Sequence, residues 1–359
     1  MLQRFARHED IRVWLLIDDV DATFLNIEAE RLKVSTFFGA CRNLANSVEG
    51  LTIRASVRTD VWSILKQYDE ALDKCEQYML DLGWSTEESG RILENKISAF
   101  YKRTYGQTPD SPRPVTKLVF QEPFPWGRRL LPAFRPIHIL SAGRPRWATQ
   151  LCRFAGKQAY RLRRDRIGIG DVSFCLKEYG RSRLSDLYKE HRHQCPELEV
   201  LVEAFSGGKP QFTTDELLEQ IRTGIIHKYG MPSIDDFAIK PRELAVAHFL
   251  FRVGFINARD DRTDQAPLSF VRFEDRPYLL SHGENRDDGL PWEIHPSYRS
   301  VLRIREPEAE LAQRKKSIPR SFSKRVLASD GSASTEARSP QNSPQNEKRK
   351  PRRFRKSKI

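Results

Sequence analysis

Three aspartates follow the first apolar run of the chain, in the stretch VWLLIDDVDATF at residues 13–24. The short β-branched and aromatic run at 12–17 predicts a fully buried strand that ends at these acids. An aspartate at the carboxyl end of such a strand faces the crevice where open α/β sheets bind ligands. Because Mg²⁺ favours one or two carboxylates plus waters and phosphates, we expect Asp18 to hold the metal and Asp19 to polarise an attacking water. Asp21 would support them; the alternative is an acidic turn that caps the next helix.

Two sets of arginines could serve the same chemistry. Arg58 closes the second strand in IRASVRTD, which puts it at the same sheet edge as Asp18, where a cation can stabilise phosphate charge. Arg144 and Arg146 open a helix in GRPRWATQLC, where guanidinium forks and the helix N-terminus both suit phosphate. The alternatives are an ordinary Arg58–Asp60 pair that closes a loop and an exposed basic first turn.

The elements that must position these residues alternate between strand and helix over residues 1–105. Apolar patterning predicts strands at 12–17, 51–58 and around 78–82, with helices at 27–48, 61–66 and after a capping box at Ser85–Glu88. This alternation predicts a parallel sheet covered by helices.

The remaining ordered regions have a different pattern. Residues 106–205 are expected to be all-α, with Pro145 in the first turn of one helix and further helices at 171–190 and 196–205. Residues 206–285 show two or three helices and then a small β-hairpin, which is the order of a winged-helix module. Residues 286–312 are expected to form a partly ordered extension.

The basic charge is concentrated at the C-terminus. The formal net charge is +13, but residues 313–359 carry fifteen Lys/Arg and three Asp/Glu, which leaves about +1 for residues 1–312. The composition of 313–359 predicts a disordered basic tail. Its cations would attract nucleic acid or another polyanion; the alternative is a solvated extension without a dedicated partner.

Composition also limits the location of the protein. Five scattered cysteines without a CxxC pair favour reduced thiols in the cytoplasm. No run is apolar enough for a membrane span, and the opening residues lack a secretory signal. The stretch HRHQC at 191–195 has metal-binding residue types, but its spacing gives no convincing zinc site.

The order of LLIDDVD, IRASVRTD, DKCEQYMLDLGWS and GRPRWATQLC, followed by helices and a winged-helix pattern, resembles a bacterial P-loop ATPase family related to the STAND and AAA+ NTPases. The resemblance covers roughly residues 10–285. It implies that Asp18 and Asp19 match the Walker B acids, Arg58 the strand-end sensor arginine, and Arg144 and Arg146 the arginines that open the lid helix. It also implies Mg²⁺ and ATP as cofactors and a partial P-loop core, an all-α lid and a winged-helix-like module as the fold.

One family motif is absent from the sequence, which contains no GxxxxGK[ST] phosphate-binding loop. In this class the strand before that loop lies at the centre of the sheet, so the three predicted strands would not form one contiguous sheet. We therefore expect the C-terminal part of an ATPase, which needs a separate P-loop half as its partner and acts as a regulatory or defence switch. The other hypotheses are a nucleic-acid-binding winged-helix protein with a basic tail and an inactive structural remnant.

Overall fold

The computed structural model describes residues 12–68, 72–106, 114–126, 129–234, 241–260, 269–281 and 286–305. All of them belong to one compact unit of the chain, Met1–Ser317. The predicted basic tail at 313–359 lies outside the described residues. Among the described helices, none is long and apolar enough to cross a membrane.

The N-terminal part is built on two parallel strands, β1 (Val13–Ile17) and β2 (Leu51–Ala55), in register from Val13 opposite Leu51 to Ile17 opposite Ala55. Helix α1 (Glu28–Ser47) connects them, as parallel neighbours require a crossover of a dozen or more residues. The predicted pair of strands and the helix between them are confirmed.

The expected burial of β1 is wrong. Trp14 is 60% and Leu16 73% exposed on one face, and Leu15 is 41% exposed on the other. Among the described residues, β1 pairs with β2 alone, so too little protein packs on these side chains to remove them from water. A strand of this composition is typical of a sheet interior, and here it lies at an edge.

The predicted third strand is also wrong. Helices α2 (Thr59–Tyr68) and α3 (Asp73–Glu76) are followed by irregular chain at 79–85. Tyr78, Met79, Leu80, Leu82 and Trp84 are all exposed there. An extended segment becomes a strand only beside a partner that takes its hydrogen bonds, and no described strand pairs with this one.

The next helix, α4 (Thr86–Tyr105), begins at the predicted capping box. The Glu88 backbone N–H donates to Ser85 Oγ at 3.2 Å, and the Ser85 N–H donates to the Glu88 carboxylate at 2.9 Å. Gly106 ends the helix with φ 75°, a left-handed conformation that glycine adopts without strain.

The middle of the chain is helical except for one hairpin. Its elements are α5 (Thr116–Val119), β3 (Phe124–Trp126), β4 (Arg129–Leu131), α6 (Phe134–Leu140), α7 (Pro145–Arg161), α8 (Ile169–His191) and α9 (Leu198–Glu203). Strands β3 and β4 pair antiparallel, so the expectation of an all-α region is wrong in this respect. The long helices α7 and α8 pack together through one apolar core.

The last described part combines helices with a four-stranded antiparallel sheet. Its elements are β5 (Gln211–Phe212), α10 (Thr214–Ile221), a π-helical segment (Arg222–Ile226), α11 (His227–Tyr229), α12 (Arg242–Arg252), β6 (Ile256–Asp260), β7 (Ser269–Val271), β8 (Trp292–Ile294) and α13 (Pro296–Arg299). The strand order is β5-β8-β6-β7. Strand β8 belongs to the predicted extension 286–312, yet it lies inside this sheet with Trp292 and Ile294 fully buried.

Helix α2 joins the two-stranded sheet to the rest of the molecule. Val61 and Leu65 are fully buried and belong to the same core as the C-terminal half of α8 and the four-stranded sheet. The residue before this helix is Arg58, so the packing of α2 carries the end of β2 toward α8.

The contact of α8 with α13 gives a prediction for Gly180. A Cβ there would lie 2.7 Å from the Ser297 carbonyl oxygen and 3.0 Å from Val301 Cγ1. We expect Gly180→Ala to lower the free energy of unfolding by about 1–3 kcal/mol through overpacking, measured by urea denaturation. Gly170→Ala, on the same helix with nothing within 4 Å, is the control and should be neutral or stabilising by up to about 1 kcal/mol. Equal stability of the two variants would contradict the close packing.

Candidate functional site

An open cleft of about 370 Å³ lies at the carboxyl ends of β1 and β2. Side chains from the loops after both strands form one wall, and the last turn of α8 forms the other. The lining residues are Asp18, Asp19, Asp21, Ala22, Ser56, Val57, Arg58, Lys189 and Glu190. The structure therefore brings together four of the side chains singled out from the sequence, Asp18, Asp19, Asp21 and Arg58.

Asp18 and Asp19 face this cleft with few protein partners. Ser56 donates a hydrogen bond to Asp18 Oδ1, and this bond, together with one from the Asp19 backbone N–H, lowers the pKa of Asp18 below its ordinary value. Asp19 has φ 60°, and among the described residues its carboxylate has no hydrogen-bond or ion-pair partner. Both acids are exposed, so they present charged oxygens to whatever enters the cleft.

Asp21 has a different environment. It is 5% exposed, and its Oδ2 accepts hydrogen bonds from the Arg58 backbone N–H at 2.8 Å and from Arg58 Nε at 3.1 Å. Its charge is therefore used to fix Arg58.

Arg58 lies among three carboxylates. Besides Asp21, its Nε is 3.7 Å from Asp60 Oδ1 and its Nη1 is 3.5 Å from Glu190 Oε1. Burial opposes its charge, but the attraction of Asp60, Asp21 and Glu190 outweighs burial and raises the pKa of Arg58. Its Nη2 is buried and makes no hydrogen bond with the described residues.

Glu190 connects the two predicted arginine sites. One oxygen faces Arg58, and the other lies 3.3 Å from Arg144 Nη1. Arg144 is the residue just before α7 and also stacks over the Trp147 ring at 4.5 Å. Burial alone would raise the pKa of Glu190, but the arginine charges outweigh it and lower that pKa. An acid at the C-terminus of α8 opposes the helix dipole, so the two arginines account for its charged state.

The stretch HRHQC at the end of α8 holds the loop after β1, which carries Asp18, Asp19 and Asp21 and is named here the acidic loop. His193 Nε2 and Gln194 Nε2 donate to the Phe24 carbonyl oxygen at 3.0 and 3.1 Å, and His191 Nδ1 lies 3.1 Å from Gln194 Oε1. Among the described residues, no three His, Cys, Asp or Glu side chains are arranged to hold a metal ion by themselves.

Arg146 is separate from this cluster. It is exposed on α7 and does not line the cleft. Sequence reasoning in turn missed Ser56, Lys189 and Glu190. Ser56 sits beside the singled-out Arg58 and could have been found from the end of β2. Glu190 lies 132 positions after Arg58, and no local pattern indicates the contact.

The ion pairs of Glu190 give a pH-dependence. Its folded pKa is lowered, so its contribution to stability is complete above the unfolded value of about 4.5 and is lost as pH falls through the folded value. We expect Glu190→Gln to lower the free energy of unfolding by about 1–3 kcal/mol at pH 7, and the difference from wild type to shrink below pH 4.5. Urea denaturation from pH 3 to 7 measures it.

The control for this experiment is Glu199→Gln, which removes one exposed carboxylate from α9. The free energy of unfolding of this variant should stay close to that of the wild type over the whole pH range. A difference for Glu190→Gln that stays constant with pH would show that the carboxylate charge does not stabilise the arginine cluster.

Comparisons with known proteins find similarity to parts of two curated proteins. No model of a known protein family matches, and no solved structure matches significantly. The putative transposon gamma-delta 80.3 kDa protein of Escherichia coli (strain K12) is 30% identical over 149 residues, 39% of this chain and 21% of that protein. Allergen Alt a 2 of Alternaria alternata is 31% identical over 93 residues, 25% of this chain and 49% of that protein. The chain thus spans from about a fifth to half of the length of these curated relatives.

Proposed function

We propose that the chain supplies one wall of a magnesium–nucleotide site in a P-loop ATPase related to the STAND and AAA+ NTPases, and that a separate P-loop half completes it. The observation that carries this proposal is the cleft at the carboxyl ends of two parallel strands. Asp18 and Asp19 are open to the cleft there, and Arg58 is held one strand away. Ligands of open α/β sheets bind at this position.

The residues present fit the metal part of such a site. Mg²⁺ needs only one or two protein carboxylates when waters and phosphates complete its octahedron, so the lack of a three-ligand cluster among the described residues agrees with a shared site. Bound there, Mg²⁺ would polarise a phosphoryl oxygen. Asp18 would hold the ion, and Asp19 would orient or deprotonate the attacking water.

The arginines contribute positive charge to the same wall. Arg58 would balance phosphate charge from within the cleft. Neither Arg144 nor Arg146 lines the cleft. Arg144 contacts Glu190 and could exchange it for a phosphate oxygen, since a guanidinium binds either anion in the same bidentate geometry, whereas Arg146 would reach the nucleotide only if the start of α7 moved.

A completing segment is supported by surface that the described chain leaves uncovered. The Trp14 and Leu16 face of β1 and the apolar residues of 78–84 are exposed, and more strands on this sheet would cover such side chains. The sequence contains no phosphate-binding loop. A role as a nucleotide-dependent regulatory or defence switch is part of the proposal through the family resemblance.

The test combines the full chain with a candidate half that carries GxxxxGK[ST], beginning with the polypeptide encoded directly upstream. Binding of a fluorescent ATP analogue and release of phosphate from Mg·ATP are measured for the chain, for the half and for the two together. We expect hydrolysis from the pair alone. Asp19→Asn should lower its rate by about 10²–10⁴-fold, and Asp18→Asn should raise the Mg²⁺ concentration required.

Asp73→Asn is the matched control, because Asp73 is exposed in α3 and does not line the cleft. Hydrolysis by the chain alone would refute the need for a second half. Absence of nucleotide binding by the pair would refute the ATPase proposal. Equal rates for the Asp19 and Asp73 variants would refute the catalytic assignment.

A further inference from the structure

Helix α7 carries a row of cations without acids. The segment 144–166 contains eight Lys/Arg and a single acid, Asp165, and α7 itself contains no Asp or Glu. By contrast, residues 1–312 as a whole are close to neutral, so this is a local concentration of positive charge. Its members are Arg144, Arg146, Arg153, Lys157, Arg161, Arg163, Arg164 and Arg166.

Four of these cations share one exposed side of the helix, named here the basic face: Arg146, Arg153, Lys157 and Arg161. At about 100° per residue, they fall within roughly 80° of arc. The buried residues Trp147, Leu151, Ala155, Gln158 and Ala159 occupy the opposite side. The basic face is about 22 Å long at 1.5 Å per residue.

The charges of the basic face form no ion pairs within the part of the chain that the structure describes. None of its four residues forms an ion pair with a described residue, whereas Arg164 pairs with Asp171 at 3.0 Å and Arg144 with Glu190. The contrast extends to the four-stranded-sheet region. There Arg222 pairs with Glu243, Arg276 with Asp288 and Arg299 with Glu293. Unpaired cations in a row repel one another, so an external anion would stabilise them.

An aromatic ring lies on the same side. Tyr160 is 83% exposed, and its helical position lies about 20° beyond the edge of the arc that Arg153 marks. Cations that follow a phosphate backbone, combined with an exposed ring on which a base can stack, form the usual platform for single-stranded nucleic acid. Bases in a duplex are already stacked and cannot use such a ring.

A membrane surface fits this helix less well. Helices that bind anionic lipid insert Trp, Phe or Leu from their apolar side into the bilayer. In α7 the apolar side is used in the core shared with α8, where Leu151 and Ala155 are fully buried. The charged side and Tyr160 remain exposed to a partner.

We infer that the basic face of α7 and Tyr160 form a binding surface for single-stranded nucleic acid, distinct from the acidic cleft and from the basic tail. At about 22 Å the basic face is long enough for its four cations to follow several successive phosphates of one strand. Neither the basic face nor Tyr160 lines the cleft. Arg146 is the one residue of the basic face that the proposed nucleotide site could also use, and it is left unchanged in the variants below.

The test measures fluorescence anisotropy of a labelled 20-nucleotide oligo(dT) and of a 20-base-pair duplex with the full chain, in EDTA and without nucleotide, from 50 to 200 mM NaCl. The variant Arg153→Gln/Lys157→Gln/Arg161→Gln should lose affinity for oligo(dT) by about ten- to a hundredfold. The slope of log affinity against log NaCl concentration should become smaller in magnitude by about 2, because three phosphate contacts are lost and each contact on a single strand contributes about 0.7. Tyr160→Ala should lower the affinity for oligo(dT) by about fivefold or more and should leave the salt dependence and the duplex affinity unchanged.

Matched variants distinguish binding by the basic face from a non-specific effect of the protein's net charge. Arg91→Gln/Lys102→Gln/Arg103→Gln removes the same charge from exposed positions of α4 and should change oligo(dT) affinity less than about twofold. Lys348→Gln/Arg349→Gln/Lys350→Gln removes it from the tail and should leave the effect of the α7 substitutions intact. Arg153→Lys/Arg161→Lys keeps the charge and should retain binding, and thermal melts confirm that all variants fold.

Three results would overturn the inference. The α7 and α4 triple variants could bind oligo(dT) equally, the tail variant could abolish all binding on its own, or the α7 substitutions could weaken binding only to phosphatidylserine vesicles. The last result would assign the surface to anionic lipid. Because the assay contains no nucleotide or metal, a lack of oligo(dT) binding would not count against the ATPase proposal. Likewise, a lack of ATP hydrolysis would not count against nucleic-acid binding by α7.

Discussion

The charge balance around Arg58 is the constraint on which the site region depends. One guanidinium with little exposure meets Asp21 from the loop after β1, Asp60 from α2 and Glu190 from α8. A buried charge is tolerated only when it is paired and hydrogen-bonded, so each of these elements must stay in place for the others to be stable. Glu190 extends the constraint to α7 through Arg144, and His193 and Gln194 fasten the acidic loop to the same turn of α8.

This arrangement separates two kinds of acid within four residues of sequence. Asp21 is buried and hydrogen-bonded to Arg58, whereas Asp18 and Asp19 remain in contact with solvent. The difference follows from the backbone, because β1 ends at Ile17 and the turn that follows directs Asp21 inward against α2. The cleft consequently has two exposed acids and one arginine, Arg58, whose charge is balanced by Asp21, Asp60 and Glu190.

The exposed surfaces differ in the partner that they favour. The Trp14 and Leu16 face of β1 and the apolar side chains at 78–84 would gain by packing against protein, because apolar area is stabilised by removal from water. The basic face of α7 would gain by meeting an anion, and its apolar side is already buried. An apolar sheet face and a cationic helix thus point to two different partners of one chain.

The sequence by itself determined the elements whose signals are local: the parallel strand pair with its helical crossover, the capping box at Ser85, Pro145 at the start of α7, and the acids after β1. It also placed Asp18, Asp19 and Arg58 at one sheet edge, because parallel strands end on the same side. Only the tertiary structure decided that Glu190 lies between Arg58 and Arg144, that β8 completes the last sheet, and that β1 and residues 78–84 are exposed. Burial and pairing depend on segments far away in sequence, whereas periodicity and caps are set within a few residues.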